Sequence, residues 1–176
     1  MSKKIKIVLG FLAAFWAVEA VNVFTGNSLT GMGIVPRTVF GLIGIPLAPF
    51  VHSSITHLAI NTIPFVLLGS LVIARGTSLF LRLTTFVALV GGGATWLLAH
   101  SATPLGSSGL VFGYSGYLVA RAGRTKRPVA VFGFFIAAVF FGANLLGVIP
   151  TFSAVSFEGH LFGFLAGVLW ALTERK

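Results

Sequence analysis

Neither cysteine nor aspartate occurs anywhere in the 176 residues, and glutamate appears only at Glu19, Glu158 and Glu174. Without cysteine there is no disulfide framework, zinc–thiolate centre or thiol nucleophile. Without aspartate there is no aspartyl protease dyad, and the H-E-x-x-H of a zinc peptidase is missing too. No metal or cofactor is expected. Charge is equally scarce: 9% of residues are Asp, Glu, Lys or Arg, against about 25% in ordinary soluble domains. A water-soluble fold would have almost nothing with which to cover its surface.

What the chain has instead is apolar residues, 56% of the total. They fall in runs of roughly 20 residues separated by short polar or basic breaks, the pattern of membrane spans. The spacing predicts one all-α membrane domain over 1–176, with six transmembrane helices near 5–25, 55–74, 78–99, 107–122, 128–148 and 157–173. Pro128 and Pro150 mark the ends of the fifth span. The lysines ahead of the first run also resemble a secretory signal with cleavage near Ala20. Five further spans favour a retained first helix.

The net charge of +9 does not point to nucleic acid, because the basic residues lie in short clusters between apolar runs. With six spans and the N-terminus inside, eleven of the twelve lysines and arginines are cytoplasmic and only Arg37 is outside, as the positive-inside rule requires. Both termini are therefore expected in the cytoplasm. Residues 26–51, rich in Gly and Pro yet apolar, read as a first loop lying in the outer membrane interface and packed on protein.

Polar groups at membrane depth are costly and are candidates for function. Asn61 lies fourteen residues before Arg75, Ser108 thirteen before Arg121 and His160 fourteen before Glu174. At 1.5 Å per residue each sits about 20 Å above the basic ends, hence about 10 Å below the outer edge of a hydrocarbon layer about 30 Å thick. His57 is one turn above Asn61 on the same face. Four polar groups thus share one layer.

Gly106-Ser107-Ser108-Gly109 opens the fourth span, so Ser108 sits at a helix N-terminus, where free N–H groups favour a developing negative charge. A serine nucleophile needs a base, and His160 is the candidate at matching depth. His57, Asn61 and the Ser108 N–H would form an oxyanion hole. Gly159, Gly163 and Gly167 give the sixth span a small-residue face that lets a neighbouring helix approach. Any such hydrolase is a Ser–His dyad, since Glu158 faces another side of its helix and reads as a first-turn charge.

These residues resemble the rhomboid family of intramembrane serine proteases. His57 to Asn61 matches its H-x-x-x-N on the second helix, Gly106 to Gly109 its G-x-S-G on the fourth, and Gly159-His160 with Gly163 and Gly167 its sixth-helix pattern. His52 matches a further position that is often histidine. The resemblance implies a rhomboid-like bundle with a membrane-associated first loop. Ser108 is then nucleophile, His160 base, and His57 with Asn61 oxyanion side chains. Transmembrane proteins are the implied substrates, while the basic N-terminus and the absence of a transit-peptide pattern suit a bacterial plasma membrane. The chain departs from the family in having Arg37 without a tryptophan beside it in the first loop, and Phe112 where a tyrosine commonly packs near the histidine.

Other residues invite plainer readings. His52 would brace the first loop, and His100 and Asn144 are interfacial or packing groups. Glu19 has no evident partner. The phenylalanines of 128–148, such as Phe134 and Phe141, either line the side where the family admits substrate or face lipid. Two alternatives remain at this stage: an inactive rhomboid-like binder of client helices, and a small-solute transporter, against which the lack of internal repeats and of a charged pathway weighs.

Overall fold

The structure, a computed structural model, describes residues 2–100, 103–125 and 157–174. Among these there are helices and turns but no strand, and the protein is an all-α membrane bundle. The fifth span expected at 128–148, with Asn144 and its phenylalanines, lies outside the described residues.

Helix α1 (Lys3–Phe24) opens on a Ser2 cap whose Oγ accepts the Ile5 N–H. Its burial is inverted relative to a soluble helix. Glu19 and Asn22 are buried alongside Val8 and Phe15, while Leu9, Trp16, Val21 and Val23 face outward. A helix apolar all round, with its polar residues turned inward, has hydrocarbon as its solvent. Among the described residues, three segments are long and apolar enough to cross a membrane: α1, α3 (Ile55–Arg75), and the run Thr77–Leu98.

The first loop is more ordered than composition suggests. It holds a 3₁₀ turn (Ser28–Met32), the short helix α2 (Val39–Leu47) and a second 3₁₀ turn (Ala48–Phe50). Arg37, at a left-handed φ of 56°, ties the loop to the end of the third span: its Nη1 donates to the Ala99 carbonyl at 2.6 Å and its N–H to that of Trp96. Trp96 Nε1 in turn donates to the Thr38 carbonyl at 2.8 Å. The tryptophan absent from the loop is met by one from the neighbouring helix.

The third span, expected as one uniform helix over 78–99, is α4 (Thr77–Phe86), a π turn (Val87–Gly91) and α5 (Gly92–Leu98). The π turn brings Gly91 so near the last helix that a Cβ there would lie 3.2 Å from Gly163 Cα; such bulges insert one residue and re-aim the face. Helix α6 (Ser108–Thr125) packs along α7 (Phe157–Thr173). A methyl on Gly163 would strike the Gly109 carbonyl, and one on Gly167 the Gly113 carbonyl. Lipid tails are as apolar as leucine, so such backbone contact, rather than hydrophobic burial, holds membrane helices together.

Rings of α1, α3, α4 and α6 fill the middle: Phe15 meets Phe65 edge-on at 4.9 Å, and buried Tyr114 bonds Thr84 at 2.7 Å. At the basic end, Arg75 Nε donates to Tyr117 Oη at 2.9 Å. That hydroxyl donates to Glu174 at 3.1 Å, which also pairs with Arg121 at 3.3 Å.

Candidate active site

Ser108 is the first residue of α6, placed there by a turn that other elements fix atom by atom. The Gly106 N–H donates to the Ala48 carbonyl of the first loop at 2.8 Å. Gly106 itself sits at a φ of 103°, a conformation that favours glycine. The Ser107 N–H donates to His52 Nε2 at 3.1 Å, and Ser107 Oγ is 3.2 Å from the same nitrogen. Ser107 caps the helix, its carbonyl accepting the Val111 N–H. The Ser108 N–H then belongs to a first turn, where no intrahelical acceptor exists.

From α7, His160 Nε2 comes within 2.9 Å of Ser108 Oγ. Both residues are buried, so the bond forms out of bulk water. The glycine face permits this approach, since any side chain at Gly163 would part the helices one turn from the pair. Phe112, one turn along α6 from Ser108, stacks on the His160 ring with centroids 4.3 Å apart and planes 24° apart. The phenyl ring keeps the stacking surface that a tyrosine would offer.

From α3, His57 and Asn61 reach the same turn. The Ser53 N–H is directed at His57 Nδ1 at 3.5 Å, and Ser53 Oγ lies 3.1 Å from it. A nitrogen that accepts from an amide carries no proton, so the hydrogen is assigned to Nε2. His57 Nε2 and Asn61 Nδ2 are buried donors with no partner among the described residues. They converge on one spot: a Cβ on Gly106 would lie 3.1 Å from His57 Nε2 and 3.4 Å from Asn61 Nδ2. Two unpaired donors aimed at the space beside a serine turn have the geometry of an oxyanion hole.

The group opens into a cavity of about 250 Å³ whose lining includes Ser53, His57, Gly106, Ser108, Gly159 and His160, with Ile45 and Val87 on its apolar walls. No cluster of metal-ligating residues occurs among the described residues.

A sequence model of the Rhomboid domain matches residues 39–176. The chain belongs to the rhomboid family. It is also 35% identical to an uncharacterized protein of Mycobacterium leprae, over 96% of this chain and 72% of that one. Another uncharacterized protein, of Mycobacterium bovis, is 34% identical over 96% and 76%.

In this rhomboid, Ser108, His160, His57, Asn61, Gly106, Gly159 and Phe112 meet at one place. His52 stands behind the serine turn rather than in the cavity. Gly109 and Gly167 belong to the helix contact. Sequence reasoning passed over Ser53, which sets the His57 tautomer; its place four residues before His57 was the available signal. It also read Ser107 only as part of a motif, without its bond to His52. His100 and Glu158 prove to be partners, with the His100 N–H donating to Glu158 Oε1 at 2.9 Å.

Proposed function

We propose that this rhomboid is an intramembrane serine endopeptidase working through a Ser108–His160 dyad. The observation that carries the reading is the 2.9 Å approach of His160 Nε2 to Ser108 Oγ, beside two buried donors that have no partner among the described residues.

The chemistry follows. His160 removes the hydroxyl proton as Ser108 Oγ attacks a substrate carbonyl. The oxyanion that develops is met by His57 Nε2–H, Asn61 Nδ2–H and the Ser108 N–H, donors already in position and shielded from water. His160 returns the proton to the leaving amine. Water then enters the cavity and, with His160 again as base, releases the acyl group. A transmembrane substrate must unwind locally, since a helical peptide bond hides its carbonyl in the backbone ladder. The cut falls near the outer end of that substrate, given the orientation that the basic residues favour.

The test uses the purified protein in lipid, with a fluorophosphonate probe and a model single-span substrate. Wild type labels and cleaves; Ser108→Ala and His160→Ala do neither. Cleavage that persists in Ser108→Ala ends the proposal, whereas client capture with no labelling of wild type points to a non-catalytic binder.

A further inference from the structure

A second buried polar cluster lies behind the serine turn, away from the groups that the hydrolase chemistry uses. Glu19 and Asn22 of α1 are 1% and 0% exposed and His52 is 0% exposed, yet none of them faces the cavity. Two atoms here have no hydrogen-bond partner among the described residues: Glu19 Oε1 and His52 Nδ1.

The protonation of His52 is set from its other side. Its Nε2 accepts the Ser107 N–H, so the neutral ring must carry its hydrogen on Nδ1. Burial, and secondarily the neighbouring His57, push its pKa down to about 3, so the ring is neutral at ordinary pH. The Phe50 carbonyl lies near enough to favour a proton on the ring without making a hydrogen bond to Nδ1. A buried donor thus lacks an acceptor, and a buried carboxyl oxygen lacks a donor. Each is expensive to leave unmade.

One amide bonds both residues, though at other atoms: the backbone carbonyl of His52 and the second oxygen of Glu19. Asn22 Nδ2 donates to the His52 carbonyl at 3.1 Å and to Glu19 Oε2 at 3.4 Å. Asn22 Oδ1 accepts the Leu29 N–H at 3.0 Å, which fixes which way that amide points. Phe15, one turn from Glu19 on the same face of α1, has its ring 6.0 Å from the His52 ring. Glu19 and the His52 imidazole therefore stand over the same stretch of α1.

We infer that Glu19 is a positioning residue for the nucleophile: its Oε1 is joined to His52 Nδ1–H through one bridging water, and so holds His52 as the acceptor that fixes the Ser107 N–H. The chain runs Glu19, His52, Ser107, Ser108. It places a carboxyl behind the serine turn, where it orients the backbone carrying the nucleophile rather than the base. Neither Glu19 nor His52 touches the reacting atoms.

The inference rests on the hydrolase reading for its kinetic consequence, and its two readouts separate the failures. The first is the tautomer of His52, read from ¹⁵N chemical shifts of histidine-labelled Ser108→Ala protein, which needs no activity. Nδ1–H is expected, giving way to a mixture in the Ser108→Ala protein that also carries Glu19→Leu. The second is kinetic: Glu19→Leu in otherwise native protein lowers kcat about tenfold with KM unchanged, and Glu19→Gln, which retains an acceptor oxygen, recovers most of the loss. An Nε2–H tautomer in the Ser108→Ala protein overturns the inference, as does a Glu19→Leu protein in which either the tautomer or kcat stays as it was. If Glu19→Leu does not fold, Glu19→Ala, read in the same two ways, decides. Absence of hydrolysis by the wild type sinks the hydrolase reading alone, and the tautomer then decides whether the chain of contacts exists.

Discussion

A methyl group on Gly106 would occupy the point where His57 Nε2 and Asn61 Nδ2 converge, and the residue's φ of 103° would strain any other side chain. Gly106→Ala is therefore expected to fill the oxyanion site while leaving Ser108 and His160 in place. Its kcat should fall by at least about 10², comparable to loss of a single donor, and Asn61→Ala should fall by a similar factor with little change in KM. Steady-state cleavage of a model substrate measures both, and a Gly106→Ala enzyme with native kcat would remove the oxyanion assignment. His52 supplies a second prediction. Its pKa is lowered from the ordinary 6.5 to about 3, so between those values the unfolded chain binds a proton that the folded protein does not. Stability from this group is complete above about pH 6.5 and declines as pH falls, by up to about 1.4 kcal/mol per pH unit. His52→Gln, which keeps an acceptor for the Ser107 N–H but does not titrate, should flatten the fall in thermal midpoint between pH 7 and 5. An unchanged slope would show that His52 titrates normally.

Among the elements, glycine has opposite meanings in α1 and in α7. Nothing lies within 4 Å of a Cβ added to Gly10, whereas one on Gly167 runs into the Gly113 carbonyl and lies 2.9 Å from the Tyr117 nitrogen. Gly10→Ala should be neutral or stabilising by about 0.5–1 kcal/mol, the helix preference for alanine. Gly167→Ala should be destabilising by about 1–3 kcal/mol, the ordinary cost of overpacking. Thermal unfolding of the two variants in one detergent gives the comparison, and equal midpoints would mean that α6 and α7 are not held by close backbone contact. The glycine face was legible in the sequence because small residues recur every four positions on a helix. The presence of the last helix was legible too, since its apolar run covers the helical residues Phe157–Thr173. The π turn at Val87–Gly91 was not, since a single inserted residue barely disturbs an apolar run with no polar side to mark its period. The helices inside the first loop were hidden for a related reason: Gly41, Gly44 and Pro46 argue against a helix locally, and only packing against Val35 and Gly33 makes one worthwhile. Layering of Ser108, His160, His57 and Asn61 could be counted from helix rise. The pairing of His52 with Ser107 could not, because a hydrogen bond across 55 residues leaves no periodic trace.

Over the whole molecule the two ends differ in kind. One carries the serine turn, the cavity and the first loop; the other carries Arg75, Tyr117, Arg121 and Glu174, joined into one network, with Lys4 Nζ donating to the Ala74 carbonyl at 2.8 Å. Charge asymmetry of this sort orients a bundle, because segments rich in Lys and Arg are retained on the cytoplasmic side. The complete lack of cysteine makes the orientation directly measurable, since any introduced thiol is the only one. Gly31 in the first loop and Gly123 near the end of α6 are exposed and tolerate a side chain, nothing lying within 4 Å of a Cβ at either. In intact cells a membrane-impermeant maleimide should label Gly31→Cys and spare Gly123→Cys; in inverted vesicles the pattern should reverse. The opposite result would put the cavity on the cytoplasmic side, and a substrate would then be cut near its inner end. Since Ser108, His160 and the two unpaired donors all lie toward the Gly31 end, this one measurement decides from which compartment water would reach the proposed acyl intermediate.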